Sequence, residues 1–206
     1  MSTNYPVMLG LEGKVVVIVG GGKVAERKVR GLLESGARVV VVSPEATEEL
    51  QRLSSVGKIK WAQRPFLPED LQEAFMIFAA TDDKDLNQLV RVSAEPHQLV
   101  TVVDDPNGSD FHLPSSFQRG RLSIAVSTGG ASPMLAKKIR EQLEQEFDES
   151  YEDYLEFLFK KRKWVIKEVT DAALKSKLLT AIASDEFLNS RNREGDFRRL
   201  YEGLIF

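Results

Sequence analysis

The chain has 206 residues, 42% of them hydrophobic, and a formal net charge of −3 from interspersed basic and acidic side chains, enough for one α/β domain with a sizeable core plus a smaller appendage. That balance gives no bulk attraction for nucleic acid or an anionic membrane, and no apolar run approaches the ~20 residues that span a bilayer. The absence of cysteine excludes disulfides, thiolate catalysis and cysteine-ligated metal; with no leader pattern over residues 1–11, the expectation is a cytoplasmic protein.

Lys14 to Ala25 reads K-V-V-V-I-V-G-G-G-K-V-A. The β-branched run predicts a strand buried on both faces of a parallel sheet. It breaks into Gly20-x-Gly22-x-x-Ala25, which opens a helix. Gly20 permits the tight turn, Gly22 lets a pyrophosphate approach the backbone, and Ala25 lets the helix pack close to the strand. The helix N-terminus adds free N–H groups and partial positive charge. An ordinary glycine-rich turn is the plainer alternative.

The helix should run from Val24 to Ser35 and stop at Gly36. A second strand over Arg38 to Ser43, a helix over Ala46 to Leu53 and a third strand over Ile59 to Gln63 continue the alternation. A short helix over Pro68 to Glu73, a strand over Met76 to Ala80 ending in Thr81-Asp82-Asp83, a helix over Lys84 to Glu95 and a strand over Leu99 to Val103 complete it. This alternation predicts a doubly wound, mostly parallel Rossmann-type sheet over residues 1–113.

Asp104 to Asp110 and Pro114-Ser115-Ser116 are dense in turn formers and read as loop. Arg121 to Ser127 reads as one more strand, broken by Gly129-Gly130. Ser132-Pro133 starts a helix, with Ser as N-cap and Pro at the first helical position, that runs to about Phe147. Its apolar stripe of Leu135, Ala136, Ile139 and Leu143 needs a covering surface, either its own domain or a second subunit. Residues 148–206 are helical in pattern, with stripes at Tyr154, Leu155, Leu158 and Phe159, then Trp164 and Val165, then Leu174 to Ile182. The run Lys160-Lys161-Arg162-Lys163 reads as a solvated helix face.

The order G-G-G-K-V-A-E-R-K (Gly20 to Lys28), A-A-T-D-D (Ala79 to Asp83) with Asn87, V-V-D-D-P (Val102 to Pro106), F-H-L-P (Phe111 to Pro114) and S-T-G-G-A-S-P (Ser127 to Pro133) resembles the precorrin-2 dehydrogenase family, which also forms the N-terminal part of siroheme synthases. The resemblance implies NAD-dependent oxidation of precorrin-2 to sirohydrochlorin on the way to siroheme. It also implies a homodimer with a Rossmann domain (1–113), a dimerisation region (114–147) and a helical C-terminal domain (148–206). Some relatives also insert iron; dehydrogenation alone is the expectation here, with a bifunctional dehydrogenase/ferrochelatase and a non-enzymatic dinucleotide sensor as alternatives.

Asp104, just past the fifth strand where open α/β sheets bind ligands, matches the aspartate the family is thought to use catalytically; Asp105 could couple to its ionisation. Cofactor contacts are expected from Gly20, Gly22, Lys23, Val24, Ser43, Pro44 and Thr81. The acidic residue common about 20 positions after the glycines is replaced by Val42-Ser43-Pro44, with Glu45 beyond. No arginine stands beside that strand end to meet a 2′-phosphate, which favours NAD over NADP. The family's substrate carries eight carboxylates, and the turn Thr128, Gly129, Gly130 and Ser132 is the expected substrate contact, ahead of the basic candidates Arg27, Lys28, Arg119, Arg121, Lys137 and Lys138. His97 and His112 make no metal motif, and no metal site is expected.

Overall fold

The computed structural model describes residues 4–103 and 105–205. Tyr5–Leu113 forms one compact unit and the chain from Pro114 a second. In the first, β1 (Val15–Val19), β2 (Arg38–Val42), β3 (Lys60–Ala62), β4 (Met76–Ala79) and β5 (Leu99–Val102) form a five-stranded sheet in the order β3-β2-β1-β4-β5, every pair parallel. Helices α1 (Lys23–Glu34), α2 (Glu48–Ser55) and α3 (Lys84–Ser93) alternate with them.

The unbroken valine runs follow from burial on both faces. Val16, Ile18, Val39 and Val41 pack with Ala25, Val29 and Leu32 of α1 and with Leu50 and Leu53 of α2. Val17, Val19, Ile77 and Val100 pack with Leu71 and with Val90 of α3. Successive strands are added outward on one side of β1 and then on the other, so the order reverses between β1 and β4. This is the doubly wound sheet that the strand–helix alternation predicts, and open sheets of this kind generally take ligands at the carboxyl ends of the strands where the order reverses.

Two expectations need correcting here. The helix over Pro68 to Glu73 is a single 3-10 turn, Pro68–Leu71, because Ala74 N–H already closes on the Leu71 carbonyl and β4 begins at Met76. Helix α3 stops at Ser93 with Ala94 extended: Pro96 disfavours helical geometry at Glu95, and the Glu95 N–H goes to Gln98 Oε1 instead of continuing the helix.

The second unit begins with an antiparallel hairpin, β6 (Ser115–Arg119) and β7 (Leu122–Val126), with Phe117 opposite Ile124. The loop expected at Pro114-Ser115-Ser116 is therefore the start of a strand. Its polar residues hide it until β7 supplies the partner: Phe117 is buried while Ser116 and Gln118 face solvent. Helix α4 (Pro133–Glu146) packs on this hairpin with Ala136 buried and Ile139 and Leu143 half-buried. Leu135 is 49% and Met134 74% exposed, so the hairpin covers only part of the stripe. Helices α5 (Ser150–Glu168), α6 (Ala172–Ile182), α7 (Asp185–Asn189) and α8 (Arg193–Ile205) enclose their own core of Tyr154, Phe157, Val165, Leu178, Ile182, Phe187 and Phe197. Lys160, Arg162 and Lys163 are exposed on α5, whereas the Lys161 ammonium sits 4.7 Å from the Phe197 ring centre.

Candidate functional site

The three glycines after β1 each do something different. Gly20 has φ +120°, and a Cβ there would stand 2.2 Å from the Ala80 carbonyl oxygen; the end of β4 presses directly on this turn. At Gly21 a Cβ would meet the Glu45 carbonyl at 2.0 Å and Ser43 Oγ at 2.5 Å, because Thr47 N–H donates to the Gly21 carbonyl and draws the β2–α2 loop in. At Gly22 a Cβ would meet nothing within 4 Å. Gly22 is the N-cap of α1, and among the described residues no side chain caps that helix. The N–H groups of its first turn, on Lys23, Val24 and Ala25, therefore have no partner within the helix. Open space over uncapped amides on a positive helix end fits a pyrophosphate, so the residues suit a dinucleotide cofactor.

Glu26 lies in that same first turn and is buried. A hydrogen bond from the Thr47 hydroxyl, then one from Lys23, holds its carboxyl below the usual glutamate range; Lys23 lies at 3.1 Å and Arg30 at 2.9 Å. The two cations flank the carboxylate and offset its charge beside the anion cradle.

Ser43 follows β2 in a buried position, its carbonyl accepting from Trp61 Nε1 at 3.0 Å and its hydroxyl at 3.3 Å. Pro44 and Glu45 beyond it are exposed. Thr81 follows β4. Its hydroxyl bonds with the Asp83 backbone and Asn87 Oδ1, and its own N–H and carbonyl are both bound by the buried Asn87 amide. Asp83 caps α3 by accepting from Asp85 and Leu86 N–H. Thr81 thus has its polar atoms already engaged where the chain leaves β4. In the sequence, Gly21 and Asn87 stand out only within the family motifs and Thr47 is not singled out; their hydrogen bonds at the turns after β1 and β4 come from the fold.

Asp104 lies outside the described residues. After it, Asp105 N–H donates to the Val102 carbonyl and Asp105 Oδ1 accepts from Gly108 N–H.

In the second unit, Thr128 Oγ1 accepts from Ser132 N–H and donates to the Ser132 carbonyl, both at 3.0 Å, while Ala131 N–H donates to the Thr128 carbonyl. Ser132 Oγ caps Leu135 N–H at 3.2 Å. Gly129 and Gly130 have φ of 60° and 85° with open space where a Cβ would be. This pattern leaves the N–H groups of Gly130 and Met134 without partners among the described residues. The Thr128 hydroxyl is consumed in shaping that turn.

The basic candidates divide. Arg119 pairs with Glu144, Arg121 with Glu156 while its guanidinium lies 3.4 Å from the Phe159 ring centre, and Lys137 with Glu141. Lys28 Nζ instead sits 5.0 Å from the Phe78 ring centre, and burial, reinforced by Arg27, lowers its pKa. His97 and His112 are exposed. Among the described residues no three potential ligands gather as a metal site, and no helix is long and apolar enough to cross a membrane.

Residues 7–115 match the family described as putative NAD(P)-binding, 119–146 the sirohaem biosynthesis protein central family, and 151–195 the SirC C-terminal domain. A precorrin-2 dehydrogenase from Priestia megaterium is 36% identical over 198 residues, 96% of this chain and 98% of that one. A siroheme synthase from Aeromonas hydrophila is 44% identical over 140 residues, 68% of this chain but 30% of the longer relative. The solved structure of SirC, a precorrin-2 dehydrogenase, superposes with a TM-score of 0.84 at 36% identity, covering 97% of this chain and all of that one.

Proposed function

The chain belongs to the precorrin-2 dehydrogenase family, and we propose that it oxidises precorrin-2 to sirohydrochlorin, on the way to siroheme, with NAD as electron acceptor. The observation that carries this reading is the open, uncapped cradle at Gly22 in a chain similar along nearly its whole length to precorrin-2 dehydrogenases.

The bound nicotinamide supplies a hydride acceptor. The chain must supply the rest. Backbone amides at Gly22 to Ala25 would hold the pyrophosphate, on a turn that Gly20 keeps close against Ala80. Contacts from Lys23, Val24, Ser43, Pro44 and Thr81 complete its site. The exposed Glu45 after β2 disfavours a 2′-phosphate, which supports NAD over NADP. The substrate also loses a proton, and Asp104 is the group that takes it or orients the ring for its loss. In the second unit the open turn of Thr128, Gly129, Gly130 and Ser132, with amides free at Gly130 and Met134, receives a substrate carboxylate. The half-covered face of α4, with Met134 and Leu135 exposed, supports a homodimer through the 114–147 region. A cytoplasmic setting fits the cysteine-free composition.

The test is turnover. Precorrin-2 with NAD should generate NADH absorbance, faster than with NADP. Asp104→Ala should lose about 10²–10⁴-fold in rate, the usual range for a positioned acid–base group, while still binding NAD. Tight NAD binding without turnover would make the protein a sensor, and a near-normal Asp104→Ala rate would remove that residue from the chemistry.

A further inference from the structure

β5 is the last strand of its sheet, so one of its edges has no neighbouring strand. Leu99 and Val103 N–H point to β4, donating to the carbonyls of Phe75 and Ala79. By the alternation of a ladder, the N–H and C=O groups of Val100 and Val102 face the open edge. Each is satisfied from the segment that follows. Val100 N–H donates to Asp110 Oδ2 at 2.9 Å, and Asp110 N–H returns to the Val100 carbonyl at 2.7 Å. Val102 N–H donates to Ser109 Oγ at 2.9 Å, and the Val102 carbonyl accepts from Asp105 N–H at 3.3 Å. Asp110 is itself held by both terminal nitrogens of Arg91 on α3, at 2.9 and 2.8 Å. Ser109 Oγ also reaches the Asp105 carbonyl at 2.8 Å, and Asp105 Oδ1 takes Gly108 N–H.

Covering an edge needs only a charge or a short loop. Here every edge group over two successive outward positions is matched, and the matching residues span a loop that begins directly after Asp104 in sequence. We propose that Ser109 and Asp110, the latter through Arg91, are positioning residues for the dehydrogenase reaction, pinning to β5 the segment Asp105 to Asp110 that follows Asp104 in sequence. This rests on the reading of Asp104 given above. Misplacing a reacting group by about 1 Å can cost about 10²-fold in rate, so a loosened pin should appear in kcat before it appears in cofactor affinity.

The experiment compares Ser109→Ala, Ser109→Thr, Asp110→Leu, Arg91→Met and Asp104→Ala in the full chain, measuring kcat, NAD affinity and the thermal midpoint, and adds the double variant Asp104→Ala with Asp110→Leu. We expect Ser109→Ala and Asp110→Leu to lose about 10²-fold in kcat with NAD affinity nearly unchanged, and Ser109→Thr to recover most of the loss. The double variant should be no slower than Asp104→Ala alone, since groups that act through one another are not additive. Normal kcat in the single variants alongside an impaired Asp104→Ala would reduce the pin to an edge cover and overturn the proposal alone. Losses that multiply in the double variant would also overturn it, as would NAD affinity falling in step with kcat. A normal rate in Asp104→Ala would instead sink the reading of Asp104 and this proposal with it.

Discussion

Asn87 grips Thr81 at both ends of its backbone: Oδ1 accepts the Thr81 N–H at 3.1 Å and Nδ2 donates to the Thr81 carbonyl at 2.9 Å. Asn87 is 4% exposed. It comes from the first turn of α3 and holds the chain where β4 ends, one residue beyond the Ala80 carbonyl that abuts Gly20. Asn87→Leu should therefore leave two backbone groups unpaired, at about 1–3 kcal/mol for each that water cannot reach, and should weaken NAD binding as that segment shifts. Urea denaturation and NAD titration of the variant check this; unchanged NAD affinity in a destabilised protein would confine Asn87 to stability.

The glycines of the nucleotide turn should separate by substitution. Gly22→Asp is expected to fold normally, because open space surrounds its Cβ position, yet to lose NAD binding, since a negative side chain would meet the pyrophosphate. Gly20→Ala and Gly21→Ala should lower the thermal midpoint, as their Cβ atoms would press on the Ala80 and Glu45 carbonyls. Retained NAD affinity in Gly22→Asp would displace the cofactor assignment.

Glu26 gives a pH dependence of definite sign. Its carboxyl titrates below the ordinary glutamate range in the folded chain, chiefly through the Thr47 hydroxyl. The stability it contributes is thus present above the unfolded value and lost as pH falls through the folded one. Wild type and Glu26→Gln should differ most in stability near neutral pH and converge in acid. Chemical denaturation across that range measures it, and a gap that widens in acid would contradict the assigned partners.

The dimer reading predicts that the full chain sediments as a homodimer. A chain truncated after Gly120 should be monomeric and inactive but still bind NAD, because Tyr5–Leu113 carries its own two-sided core. A monomeric full-length protein in equilibrium sedimentation would refute it.

The sequence by itself determined the parallel sheet and the glycine turn between β1 and α1. Both rest on local signals: β-branched runs that can only be doubly buried, and glycines set between a strand and a helix. Ser132 as N-cap of α4 was legible for the same reason, since a cap is decided within four residues. What lay beyond local reach was decided by pairing. β6 is a strand only because Phe117 meets Ile124 across the hairpin, and its serines and glutamine carry no strand signal of their own. Asn87 stands in the family motif, but its grip on the Thr81 backbone is visible only once the fold brings the two together. Ser109 and Asp110 look like turn formers until β5 proves to be an edge whose outward amides need partners. Hydrogen-bond satisfaction of buried or edge backbone is a property of the whole sheet, and no stretch of chain read alone states which of its groups will be left without a neighbour.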